Sequence, residues 1–415
     1  MTTRLNLFAI GSLLLFFACQ RPVAPGMEEL AYTNDLNQFE NLDNWKTALK
    51  GVEIVALGEN THGLGAVFAN KVELVRWLHQ NMGFDLLLFE SGFGDGHLAW
   101  ENQRTADARD LMSAFTSYKY YQCEEMLPLF SYVTEQQGGQ RPLQIGGIDC
   151  QPQQDHLVRY FYDAVDAVDT TFGQRLREGM LGLKLLYRYE YEKDSLSFVA
   201  QREDNKMFLE ELKGFLKDEK LGFLRNGTTE ESWKALYESV NIFHRTYGDI
   251  AYGELMGFPK SANVRDRSMF ENVKWHREQY PSRKIIIWAQ NSHIENVAGP
   301  EPSPRWMGHH LKEAYGDRYY SIGAIVYKGR DLIHWNNTVN EFEHDTTAFL
   351  AYHLHQQRYD RLLINLRERY GQPYLNEPLL GMESGGNTGL FVAKDRFDGL
   401  LFIRSSDVPT FQGEE

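Results

Sequence analysis

The chain has 415 residues, enough for one large core with insertions or for two or three domains. Hydrophobic residues make up 42% and charged residues 24%, the composition of a globular protein and not of a disordered one. The formal net charge of −14 disfavours a nucleic-acid partner, because phosphates are repelled.

The N-terminus reads as a targeting segment. Arg4 gives a positive start, and Leu5 to Ala18 is an apolar run broken only by Asn6, Gly11 and Ser12. It falls short of the roughly 20 apolar residues that a spanning helix needs, and fits the apolar region of a secretory signal. The run ends in Phe16-Phe17-Ala18-Cys19, which resembles a bacterial lipobox with Phe16 where Leu is usual. Residues 1–19 are therefore expected to be a lipoprotein signal peptide and residues 20–35 a tether. A lipid on Cys19 would hold the chain in the cell envelope, in the periplasm or at the outer membrane. Of the remaining cysteines, Cys123 and Cys150, an envelope location permits a disulfide but their spacing does not decide it.

Short apolar, β-branched runs then mark the strands of a buried sheet: 53–57, 85–89, 143–148, 284–288, 320–326, 361–366 and 399–403. Val67 to Gln80 carries Val67, Val72, Leu74, Val75 and Leu78 on a helical period. Strands alternating with helices predict an α/β fold, a largely parallel sheet with helices on both faces. Residues 151–260 differ. Amphipathic runs at 157–168, 175–191, 205–216 and 232–247 contain no proline and predict an inserted helical bundle, with Thr229 or Ser232 as an N-cap. The core is thus expected from 36–150 and 261–330, and a small α+β part with the remaining core strands from 331–415.

In open α/β sheets, ligands bind beyond the carboxyl ends of the strands. The first strand is followed by Gly58-Glu59-Asn60-Thr61-His62-Gly63, the second by Glu90-Ser91-Gly92, the third by Asp149-Cys150-Gln151 and the fourth by Gln290-Asn291-Ser292-His293. Two carboxylates and two histidines can therefore share one crevice. An imidazole such as His62 can act as a general base toward water, with Glu59 or Glu90 fixing its tautomer. His293 can donate to a developing oxyanion. A buried Glu90 needs a cation, and Lys71 or Arg265 can supply one. Asp149 reads as a cap for the helical insertion, and His309 and His310 as surface or packing residues. No GxSxG elbow is present, so water attack on an acyl carbon is the simpler chemistry.

These pieces, with Lys71, Gly83-Phe84, Gly147-Ile148-Asp149, Arg265-Asp266, Met269, Asn272 and Trp288 through His293, together resemble the erythromycin esterase family from about residue 45 to 404. The resemblance implies cofactor-free, metal-independent hydrolysis of an ester or lactone by water activated at His62. It implies Glu59 and Glu90 as active-site carboxylates and His293 as the second histidine. Lys71, Arg265, Gln290 and Asn60 are the expected substrate-binding residues, and a small-molecule ester the expected partner. Gln290 stands where a first histidine is common in the family, and Ala66 where the helix often carries Glu. A glutamine donates hydrogen bonds but shuttles no proton. Two alternatives remain open: a metal-dependent hydrolase using Glu59, His62, Glu90 and His293 as ligands, and a non-catalytic surface protein that binds a ligand in the same crevice.

Overall fold

Ile54 and Ala56 pack into one hydrophobic cluster and Val55 and Leu57 into another, so a four-residue strand serves two cores at once. Leu86 and Leu88 against Leu87 and Phe89 repeat the pattern, as do Ile285 and Ile287 against Ile286 and Trp288. A strand apolar on both faces belongs inside a sheet covered by helices on both sides. The computed structural model describes residues 27–29, 42–103, 107–115, 119–151, 156–297, 303–368, 372–383 and 387–411. Its strands are β1 Met27–Glu29, β2 Ile54–Leu57, β3 Phe84–Gly92, β4 Gln144–Asp149, β5 Lys284–Trp288, β6 Tyr319–Ile333, β7 Thr338–Glu343, β8 Arg361–Asn365, β9 Pro378–Met382, β10 Thr388–Val392 and β11 Gly399–Ser406.

Nine of these form one sheet in the order β1-β8-β11-β6-β2-β5-β3-β4, with β7 paired to β6 alone. The stretch from β11 to β4 is parallel throughout; β8 and β7 run antiparallel to it at its margins, and β1 pairs antiparallel with β8. A separate antiparallel hairpin joins β9 and β10. Both faces carry helices: Gly65–Trp77, which follows β2, and Leu127–Glu135 on one, and Phe258–Gln279 and Met307–Tyr315 on the other. The fold is thus the predicted α/β arrangement. The strands differ in extent: β3 runs on to Gly92 through an irregularity after Phe89, and β6 continues to Ile333 so that its far half can pair with β7.

From His156 to Gln279 the regular structure is helical, around a core of its own that includes Phe161, Leu183, Phe208 and Phe243. Asp169 and Asp194 cap two long helices, and the Thr229 hydroxyl accepts from Ser232 N at 3.0 Å to cap a third. The last helix, Phe258–Gln279, leaves this bundle and runs back to the sheet, where Asn272 donates to Ile148 O at 2.7 Å.

The signal segment and Cys19 lie outside the described residues. Within the stretch expected to be a tether, Met27–Glu29 instead form β1 and pair with β8. Cys123 and Cys150 are buried free thiols in different clusters. Burial pushes the Cys150 thiol up to about 12. No described helix is long and apolar enough to cross a membrane.

Candidate active site

The loop after β2 is held by close approaches that explain its glycines. Neither Gly58 nor Gly63 has a positive φ. A Cβ on Gly58 would sit 2.1 Å from Asn291 Oδ1, and one on Gly63 would sit 2.3 Å from both Asp331 Oδ1 and Leu332 O. Glycine is there because neighbours press against the backbone. Those neighbours are structural. The Asn291 side chain pairs with both N and O of Ala324, at 2.9 Å each. Asp331, on the long extension of β6, accepts from the Thr61 hydroxyl. His334 Nε2 donates to His62 O at 2.9 Å.

Glu59 is completely buried and takes four donors. His62 Nδ1 at 2.7 Å and Tyr121 Oη at 2.9 Å reach Oε1; Lys71 Nζ at 2.7 Å and Trp288 Nε1 at 3.0 Å reach Oε2. Two carboxylate oxygens offer about four acceptor positions, so the group is saturated. Burial raises its pKa, but the Lys71 charge and the His62 hydrogen bond outweigh this and hold the carboxyl below its ordinary value. Burial pushes Lys71 down to about 8 against the pull of Glu59. Burial, reinforced by the Glu59 charge, holds the Tyr121 phenol well above its ordinary range, so it stays a donor.

His62 remains partly open, with 17% of its side chain accessible. Its ring stacks on Tyr120 at 4.0 Å between centroids and meets Tyr121 edge-on at 5.7 Å. Nδ1 is spent on Glu59, and among the described residues no hydrogen bond reaches Nε2. Because the ionised Glu59 accepts at Nδ1, the proton sits there and the Nε2 lone pair is free.

Glu90, at the end of β3, heads a second cluster. Its Oε1 accepts from Arg265 Nη2 at 2.9 Å and lies 3.2 Å from His293 Nε2; its Oε2 accepts from Gln290 N at 3.0 Å. Arg265 also forks onto Asp149, at 3.2 Å through Nε and 2.6 Å through Nη2. His293 Nδ1 donates to Asp266 Oδ1 at 2.7 Å, which also takes Met307 N at 2.9 Å. Against burial, which lowers it, Asp266 and Glu90 hold the His293 imidazole up at about 10. His293 is therefore an imidazolium, and its 3.3 Å approach to Arg265 Nη1 is two cations sharing Glu90. Burial raises the Glu90 carboxyl, but His293 and then Arg265 carry it well below its ordinary value.

The structure thus gathers Glu59, His62, Glu90, His293, Arg265, Gln290 and Asn60 at the strand ends, and it reassigns several of them. Lys71 was expected to meet substrate; it is fully buried, donates inward to Glu59 and lies 4.1 Å from the centroid of the Trp288 ring. The cation for Glu90 is Arg265. His293 has carboxylates at both nitrogens and no donor left for an oxyanion. Asp149 closes a local turn onto Gln151 N at 3.1 Å, and its main partner is Arg265. Ala66 sits in the first turn of Gly65–Trp77, its N donating to Ser406 Oγ at 3.0 Å. His309 and His310 are half-buried beside Glu313. Tyr120, Tyr121, Trp288 and Asp266 were missed as site residues. Asp266 and Trp288 stood within the stretches that carry the family resemblance without being singled out, whereas Tyr120 and Tyr121 had no signal in the sequence.

The metal reading fares poorly on donors. Glu59 has its acceptor positions filled by protein hydrogens, and His293 faces a carboxylate at each nitrogen. Among the described residues no three His, Cys, Asp or Glu side chains gather in a metal-holding arrangement.

Beside these loops is a cavity of about 470 Å³. Asn60 and Gln290 reach it from the loops after β2 and β5, and Met382 and Phe391 from the β9–β10 hairpin.

Fold and site define a class: an α/β protein with a carboxylate-held histidine and a second acid–base cluster beyond the ends of adjacent parallel strands. Residues 79–406 match the erythromycin esterase family, and the chain belongs to that family. It is 27% identical over 323 residues to erythromycin esterase type II of Escherichia coli, covering 70% of this chain and 73% of that one. It is 28% identical over 313 residues to the Bacillus subtilis protein YbfO, covering 69% and 68%. A protein from Bacillus cereus has the same fold, with a TM-score of 0.76, 22% identity and coverage of 93% of this chain and 97% of that one. So does a mutant of erythromycin esterase EreC in its open conformation, with a TM-score of 0.67, 14% identity and coverage of 94% and 99%.

Proposed function

We propose that this chain is an ester or lactone hydrolase in which His62 activates water. The observation that carries the reading is the His62–Glu59 pair: a saturated, ionised carboxylate fixes Nδ1–H and turns a free Nε2 lone pair outward. In the reaction Nε2 takes a proton from water as its oxygen bonds to the acyl carbon. The carbonyl electrons move to oxygen and return as the C–O bond to the leaving alcohol breaks. The imidazolium then returns the proton to the leaving oxygen, so the histidine is regenerated. Glu59 stabilises the imidazolium without itself taking the proton. Arg265, at 19% side-chain accessibility, is the partly open cation of the second cluster and the best donor for the oxyanion. Glu90 and Asp149 keep that guanidinium in place.

The test is turnover of an ester and lactone panel, erythromycin included, by the mature chain and by His62→Ala, each with and without chelator. Loss of turnover in His62→Ala with indifference to chelator supports the reading. Full activity in His62→Ala sinks it, and loss of activity in chelator favours the metal-dependent alternative. We also propose that Cys19 is lipidated and holds the enzyme in the cell envelope. Metabolic labelling with a fatty acid tests this, and a Cys19→Ala chain that still carries label refutes it.

A further inference from the structure

The cavity beside the catalytic loops has walls of two kinds. Phe258, Trp306, Phe391 and Phe397 supply aromatic surface, and Ile325 and Met382 supply aliphatic surface. Between them stand hydrogen-bonding groups, chiefly Asn60, Glu295, Glu383 and Arg396. The acceptors are in surplus. Asn60 is 2% exposed, its Nδ2 makes a 3.4 Å contact with Met382 O, and its Oδ1 has no partner. That oxygen is almost closed to water, so it adds an unmatched acceptor to the cavity wall without being an open contact. The two carboxyls share one guanidinium: Arg396 Nη1 lies 3.0 Å from Glu295 and 3.2 Å from Glu383.

The charge of the cavity chooses among donors. Burial raises Glu295 to about 8 against the opposing pull of Arg396. Near neutral pH it is mostly protonated, and Arg396 balances Glu383. The cavity is then close to neutral, which suits uncharged hydroxyls better than an ammonium group. Aromatic faces cover the C–H side of a ring while amide and carboxyl groups receive its hydroxyls.

We infer that this cavity binds a ring-bearing, polyhydroxylated alcohol, so that the ester cleaved is an acylated sugar or cyclic polyol. The inference rests on the hydrolase reading for its chemistry but not for binding. The β9–β10 hairpin, through Phe391 and Glu383 beside it, then sets specificity.

Two matched acetates separate the possibilities: methyl 6-O-acetyl-glucopyranoside and cyclohexylmethyl acetate. The expected result is a kcat/KM at least about tenfold higher for the sugar ester. Phe391→Ala and Glu383→Gln should each bring the ratio to within about threefold by raising KM on the sugar ester. Glu383 has a partly open side chain, so Glu383→Gln keeps the fold. Direct binding of methyl glucopyranoside, cyclohexylmethanol and cyclohexylmethylamine is read by saturation-transfer NMR on His62→Ala. Glucoside binding without turnover of either ester would sink the hydrolase reading and leave this one standing. Equal or better cleavage of the cyclohexyl ester overturns the inference. So does preferential binding of the amine, or a sugar preference that survives both substitutions.

Discussion

Glu59 and Glu90 end strands β2 and β3 on either side of β5, are buried alike, and each hold a histidine. They differ in what the histidine has left. His62 gives one nitrogen to Glu59 and keeps the other, on a ring still partly open. His293 gives one nitrogen to Asp266, has Glu90 at the other, and is 3% exposed. On the proposed mechanism, the same residue types thus make a base in one place and a fixed cation in the other. Donors around the carboxylate decide this: Glu59 is saturated by Lys71, Tyr121 and Trp288, so its histidine need only orient.

The sharpest way to break this comparison is to remove each histidine. His62→Ala should lower kcat/KM by about 10²–10⁴, the range for losing a general base. His293→Asn keeps a hydrogen-bonding side chain toward Asp266 but loses the charge, and should act mainly by leaving Glu90 with Arg265 as its one charged partner, which shifts both side chains. Its larger effect should appear in KM and in the denaturation midpoint. If His293→Asn cost as much in kcat as His62→Ala while its stability stayed native, the two roles would be reversed.

The carboxylates come next. Glu59→Gln leaves Lys71 buried without a counter-charge, and breaking such a pair costs on the order of 3–5 kcal/mol. Glu90→Gln leaves Arg265 on Asp149 and His293 on Asp266, so the loss should be nearer about 1–3 kcal/mol. Urea midpoints at unchanged m separate the two. A larger loss for Glu90→Gln would mean that the second cluster carries the fold.

Alkaline pH tests the charged states. The folded value of His293, about 10, is raised from 6.5, so the unfolded chain releases this proton first. Its stabilising share is whole below pH 6.5 and drains away as pH climbs toward about 10. Lys71 runs the other way: its folded value of about 8 lies below the ordinary 10.5, so its share grows between those values. Stability should fall from pH 6.5 to about 8 and then flatten. His293→Gln should remove the fall, and Lys71→Met should let it continue. A profile with no fall in the wild type would mean that His293 is neutral in the folded chain.

Much of this site was legible because polar residues stand out where an apolar strand ends. Glu59, His62, Glu90, Gln290 and His293 all sit directly after such runs. What could not be read is who faces whom. Trp288 lies within a strand, where an indole reads as core and its N–H is invisible. Tyr121 sits in a single turn, Lys119–Tyr121, with no periodicity to place it. Lys71 read as a cation for Glu90 or for substrate, yet it turns inward to the buried Glu59. The parallel strands were legible from their two-sided apolar pattern. The β9–β10 hairpin was not, since Pro378-Leu379-Leu380-Gly381-Met382 has neither alternation nor length.

Tyr121 gives the finest cut. Its hydroxyl is one of two donors on Glu59 Oε1, and the other is His62 itself. Tyr121→Phe keeps the ring that packs against Phe68, Phe89 and His62 and removes only that donor. The expected stability loss is about 1.5–3 kcal/mol, a hydrogen bond to a charged acceptor. With one donor fewer, Glu59 is the stronger acceptor for Nδ1–H, and Lys71 and Trp288 still hold its other oxygen. His62 therefore keeps its orientation, and kcat/KM should change by less than about tenfold. A loss as large as that of His62→Ala would mean that the Tyr121 hydroxyl, and not the Glu59 carboxylate alone, fixes the histidine.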